Sequence, residues 1–174
     1  MVINNLKTVY EQNKNNENSA YVRNLLKEVV QNYILSFIYN SKDYKDLIFT
    51  GGTCLRKFYN LNRLSEDLDF DFEGELDFDK LKNDLRDYFV EKLDVKNVSF
   101  KVKNFTIFVK LPILRIVGFA GPNDSEVLMI RIDFAAKRPL KPVTEYKEFI
   151  YNGFSFIGRL YNFKSLFLNK ADAF

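Results

Sequence analysis

The sequence predicts one α/β domain: a mixed β-sheet flanked by helices. Three observations lead there. Apolar residues recur at three- and four-residue steps over 20–39, which is helical periodicity, and Asp77 is placed to cap a second helix over 78–92. Residues 67–72 alternate polar and apolar strictly, and 98–110, 113–119 and 127–134 are rich in β-branched and aromatic residues, which is the signature of strands. The chain has 174 residues, 47% hydrophobic and 28% charged, enough for one real core and too few for two ordinary ones.

In chain order, residues 1–18 are a polar N-terminal segment, of which 7–18 is expected to be a loose or frayed start, with the domain occupying 19–174. Ser19 is placed to cap the first long helix, whose apolar stripe includes Val22, Leu26, Val30, Ile34 and Ile38. The short apolar run 47–50 reads as a buried strand, broken by Gly51-Gly52. Residues 53–59 then form a helix turned inward by Cys54, Leu55, Phe58 and Tyr59. A loop at 62–66 leads into the alternating strand 67–72. Asp77 caps a helix over 78–92, and Pro112 and Gly121-Pro122-Asn123-Asp124 separate three further strands. The stretch 138–143 is a loop, a short strand lies near 154–157, and a last helix begins near Ser165.

Absences narrow the chemistry. The chain has no His, which removes Ser-His-Asp and Cys-His catalysis and His-containing zinc sites. With Cys54 alone there is no intrachain disulfide, which fits a reducing, cytoplasmic setting. The N-terminal residues do not form a signal peptide, and no apolar run reaches the length of a membrane span. A net charge of +3 permits an anionic partner without requiring one. The remaining polar groups are carboxylates, hydroxyls, Lys and Arg, and carboxylates without His favour hard cations such as Mg²⁺.

Four features carry chemical meaning. Gly51-Gly52-Thr53 joins a strand to a helix, so backbone can approach a ligand closely where the helix presents unpaired N–H groups, an arrangement suited to a triphosphate. The alternative is a plain strand-to-helix turn. Asp67, Asp69 and Asp71 project from one side of a strand anchored by Leu68, Phe70 and Phe72, a row that cations would neutralise. A solvated acidic face is the competing explanation. Asp133 ends an otherwise apolar strand and is either a third acid of the site or the partner of Arg131 or Lys137. Lys170 interrupts an apolar helical stripe and either meets an anion or extends its ammonium to water. Asp77-Phe78-Asp79 repeats the D-x-D spelling, but at a helix start, where capping and the helix dipole explain it.

The run Gly51-Gly52-Thr53-Cys54-Leu55, followed by Arg63-x-Ser65-Glu66-Asp67-Leu68-Asp69-Phe70, resembles the AbiEii/AbiGii nucleotidyltransferase toxins of type IV toxin–antitoxin and abortive-infection systems. The resemblance is densest over 47–72 and keeps every fixed position of the motif. It implies a nucleotidyltransferase-like fold, nucleotide contacts from Gly51, Gly52 and Thr53, and Arg63 and Ser65 shaping the loop before the acids. It implies Mg²⁺ ligands at Asp67 and Asp69, with Asp133 as third metal-binding acid and Lys170 as the catalytic Lys of the C-terminal helical part. Family members usually continue beyond that Lys with an Arg/Asp-rich helical motif, and this sequence stops at Phe174, so that extension is absent or truncated.

The activity implied is transfer of a nucleoside monophosphate from an NTP to an acceptor hydroxyl, with RNA, especially the tRNA acceptor end, as acceptor. A separately encoded antitoxin is the expected partner. Two other readings stay open: the same chemistry on a small molecule or a protein hydroxyl, and a catalytically silent binding module of the same fold.

Overall fold

The computed structural model describes residues 1–136 and 142–171, with side chains as far as Phe167. The first element corrects the expected loose start. Residues Val2–Asn13 form helix α1, because Val2, Leu6, Val9 and Tyr10 share one helical face, with Val2 and Leu6 buried in the core. Helix α2 (Ser19–Asn40) follows, capped one residue earlier than expected: the Asn18 side chain accepts the Tyr21 N–H at 3.0 Å.

Strand β1 (Ile48–Thr50) runs straight into α3 (Gly51–Tyr59), and β2 (Leu68–Phe72) returns beside it. Asp77 caps α4 (Phe78–Asp87) by accepting the Lys80 N–H at 2.9 Å. The expected helix over 78–92 finishes as a π-helical turn, Tyr88–Lys92, which seats Phe89 in the core. The expected strand over 98–110 is a hairpin, β3 (Ser99–Lys103) and β4 (Thr106–Pro112), turned at Asn104, whose φ is 53°.

A second correction concerns 113–119, where a strand was expected. Residues Leu114–Val117 make one turn of helix, α5, burying Leu114 and Val117, and α5 packs against α1. The apolar residues of so short a run do not distinguish a strand from a helical turn. Then come β5 (Val127–Ala136), β6 (Thr144–Tyr151), β7 (Phe154–Tyr161) and α6 (Phe163–Ala171). Strand β6 was not anticipated, and β7 is twice as long as the strand expected near 154–157.

The seven strands form one sheet in the order β3-β4-β5-β2-β1-β7-β6. The pairs β2–β5 and β1–β7 are parallel, and the rest are antiparallel. Helices α2, α3 and α4 pack on one face. There Phe49, Phe70 and Phe134 stack in a row across three strands, with centroids 5.2 and 5.7 Å apart. Burying each such ring contributes roughly 1.5–3 kcal/mol, and the row ties the strands that carry the acids to the core. The opposite face exposes Lys101, Lys110, Met129 and Arg131 at one end and Tyr146, Ile150 and Ile157 at the other. Among the described residues no helix is long and apolar enough to cross a membrane.

Candidate active site

Strand alternation and pairing register bring the acids together. Leu68 and Phe70 are buried on the helix-covered face, which turns Asp69 and Asp71 to the open one. In the β2–β5 register Asp69 lies opposite Asp133, although 63 residues separate them in sequence. Across the other edge of β2, Asp69 lies opposite Thr50, the residue before the glycines.

Gly51 is shaped around that carboxylate. Its φ of +75° is one that L side chains rarely adopt, and a Cβ at this position would stand 1.9 Å from Asp69 Oδ2. Glycine at 51 is therefore required twice, by the backbone and by the acid beside it. A Cβ on Gly52 would meet Ser65 Oγ at 2.9 Å, with the Arg63 guanidinium 3.7 Å away. The loop bearing Arg63 and Ser65 thus lies directly over the N-terminus of α3.

Thr53 has another task than expected. It is fully buried, and its hydroxyl donates to the Asp67 carbonyl at 2.5 Å. Its hydroxyl locks Asp67 to α3, which leaves only its backbone N–H for a phosphate. Sequence reasoning also missed Gln31 on α2. This buried amide donates 3.0 Å bonds to the carbonyls of both Ser65 and Glu66, and Lys27 pairs with the Glu66 carboxylate. The only signal was a polar residue inside an apolar helical stripe.

Asp133 is held from two sides. The Thr106 hydroxyl donates to it at 2.6 Å, and Arg131, half exposed, pairs with it at 2.8 Å. Of the roles considered for Asp133, the structure shows the ion pair with Arg131, and the strand register sets the same residue opposite Asp69. Burial, then Asp133, then Asp67 push the Asp69 carboxyl up to about 6, against the opposing pull of Arg131. Asp67 is raised as well, chiefly by burial, with Arg131 working against the shift. A proton is retained where like charges crowd, which is also where a cation would be favoured.

Among the described residues no three acids close into a ready metal cage. The donor set still fits Mg²⁺, which commonly takes one or two carboxylates and completes its six oxygens from phosphate and water. Asp67 and Asp69 could hold it, with Asp133 alongside. Asp71 is engaged elsewhere, accepting the Tyr161 hydroxyl at 2.7 Å. Asp79 pairs with Lys82 at 2.6 Å, and Asp77 caps α4, so the second D-x-D serves the helix. Lys170 falls on α6, but its side chain lies outside those described.

The fold recurs in solved structures. MenT4, a nucleotidyltransferase toxin from Mycobacterium tuberculosis H37Rv, superposes with a TM-score of 0.65 at 18% identity, covering 97% of this chain and 58% of its own. JHP933 from Helicobacter pylori superposes at 0.50, again at 18% identity, covering 84% of this chain and 55% of its own. This chain therefore spans a little over half the length of either. No curated protein matches it at the level of sequence. A family model does, over residues 34–174, the span that holds the glycines, the Arg63–Asp69 loop and strand, and Asp133. The chain belongs to the family of the nucleotidyl transferase AbiEii toxin of type IV toxin–antitoxin systems.

Proposed function

We propose that this chain transfers a nucleoside monophosphate from an NTP to the hydroxyl of an RNA, as the toxin of a toxin–antitoxin pair. The observation that carries the reading is the meeting of Asp69 and Asp133 across paired strands, against a glycine that admits no side chain at the N-terminus of α3. The backbone N–H groups that open α3 and the Arg63 guanidinium would receive the triphosphate. Asp67 and Asp69 would hold Mg²⁺, which when bound neutralises charge on the phosphates during transfer.

The acceptor hydroxyl oxygen attacks the α-phosphorus, and the bond to the β-phosphate oxygen breaks to release pyrophosphate. Asp133 would take the hydroxyl proton, a role supported by the Thr106 and Arg131 contacts that hold its carboxylate on the open face beside Asp69. RNA as acceptor rests on the motif resemblance drawn from the sequence, and family membership supports an antitoxin as partner. The test is incubation with each labelled NTP, Mg²⁺ and total RNA, followed by sizing of the labelled product. Label in RNA-sized species supports the reading. Label only in small molecules or in protein would transfer the chemistry to another acceptor, and no label with any NTP would leave a binding module.

A further inference from the structure

On the open face, the register of β3, β4 and β5 sets a group of cations beside the acids. Lys103 lies opposite Thr106, Thr106 opposite Asp133, and Asp133 opposite Asp69, forming one row across four strands. At about 4.8 Å per strand, the Lys103 backbone stands roughly 14 Å from that of Asp69. The next row is Lys101, Phe108 and Arg131, and the one beyond it Ser99, Lys110 and Met129.

Lys101, Lys103 and Lys110 are all exposed, and none pairs with an acid among the described residues. The carboxylates paired into these rows are Asp133 and Asp69, and Asp67 interacts with Arg131 at the β2 end of the second row. By strand spacing the Lys101 backbone stands roughly 7 Å from that of Lys103 and roughly 8 Å from that of Lys110, so the three like charges build a positive field that draws in an anion. Phe108 is partly exposed, stands between Lys101 and Arg131, and is not part of the core cluster. Beside it Met129 is 41% exposed.

The surface is a pleated plane three strands wide, with its cations spread over it, so it matches an extended polyanion better than a single phosphate group. Cations interleaved with an exposed aromatic suit a strand whose phosphates meet lysines while a base rests on the ring. An acidic protein segment would satisfy the charges but leave Phe108 without a role. The face also opens directly onto the acids, where an acceptor end has to arrive.

We propose that β3, β4 and β5 form the track for a single-stranded RNA, with Lys101, Lys103 and Lys110 on its phosphates and Phe108 under a base, leading its terminal hydroxyl to Asp133 and Asp69. This rests on the nucleotidyltransferase reading above. The test uses the full chain, a labelled single-stranded RNA oligonucleotide and the variant Lys101→Gln/Lys103→Gln/Lys110→Gln, whose changes are all at exposed positions.

RNA affinity should fall at least about tenfold, and the slope of log affinity against log salt should become shallower by about 2, or about 0.7 for each lost contact. Phe108→Ala should weaken RNA binding about tenfold while leaving the salt slope unchanged. Binding of Mg²⁺ and NTP, followed by thermal shift, should not change in either variant. If the wild type binds RNA and the triple variant binds it equally with the same slope, the track is wrong and the nucleotidyltransferase reading stands. If the wild type transfers a nucleotide but neither binds nor labels RNA, the RNA acceptor fails as well. Loss of an acidic protein partner with RNA binding intact would assign the lysines to protein and overturn the proposal.

Discussion

Gly51→Ala isolates the closest contact in the proposed site. A Cβ there would lie 1.9 Å from Asp69 Oδ2, whereas real Cβ contacts essentially never fall below 3.0 Å, so the carboxylate has to retreat by at least 3.0 − 1.9 = 1.1 Å. A displacement of about 1 Å in a reacting assembly costs on the order of 10²-fold in rate. The backbone adds a separate cost, since a non-glycine residue in the left-handed region loses about 1–2 kcal/mol. Gly74 separates the two effects. It has nearly the same φ, +74°, but nothing lies within 4 Å of its would-be Cβ. Gly74→Ala should therefore cost about 1 kcal/mol in denaturant unfolding and leave turnover unchanged, while Gly51→Ala should lose stability of similar size and turnover of about 10²-fold. The assay is transfer of labelled nucleotide, run beside unfolding monitored by circular dichroism. A folded Gly51→Ala protein with more than a third of wild-type turnover would refute the placement of Asp69 at the reacting centre. So would a Gly74→Ala protein impaired as severely.

Asp67→Asn and Asp69→Asn should each reduce transfer by at least ~10²-fold with the fold retained, and full activity in both would remove the metal-site assignment. Asp77→Asn and Asp79→Asn should cost at most about 1 kcal/mol and leave turnover unaltered, because one caps α4 and the other pairs with Lys82. Without divalent metal, Asp69 gives a pH dependence of known sign. Its folded value of about 6 stands above the ordinary 3.8, so its contribution to stability is fully present below about pH 4 and is lost as pH rises through about 6. Relative to Asp69→Asn, the wild type in chelator should lose of order 3 kcal/mol between pH 4 and 7, read by denaturant titration at each pH. A difference that does not vary with pH would contradict the crowding of acids.

The elements that were legible in the sequence are those with strong local signals. Helix α2, the capped α4 and the alternating strand β2 follow from period, cap and alternation within a dozen residues. The misses have physical causes. Helix α1 has a polar average, and only the spacing of Val2, Leu6, Val9 and Tyr10 reveals its buried face. Residues 113–119 have no period long enough to decide between a strand and a turn of helix. Strand β6 was missed although its hairpin signal was available: Asn152-Gly153, both at positive φ, is the pair that a two-residue hairpin turn favours.

The site divides along the same line. That Asp69 faces away from Leu68 and Phe70 follows from alternation, and that Gly51 precedes a helix follows from the break in an apolar run. The register of β2 against β5 does not, because a slip of two residues keeps every side chain on its proper face yet moves Asp133 away from Asp69. What selects the observed register is packing on the far side, where Phe70 stacks on Phe134 and Leu68 lies opposite Ile132. The aromatic core thus sets the separation of the acids, and their mutual repulsion is offset on the open face by Arg131, which pairs with Asp133 and lowers both Asp67 and Asp69. A cation arriving between Asp67 and Asp69 would take over part of that compensation. Among the described residues Arg131 pairs with Asp133, whereas Lys101, Lys103 and Lys110 pair with no acid, which is the charge pattern the proposed RNA track requires.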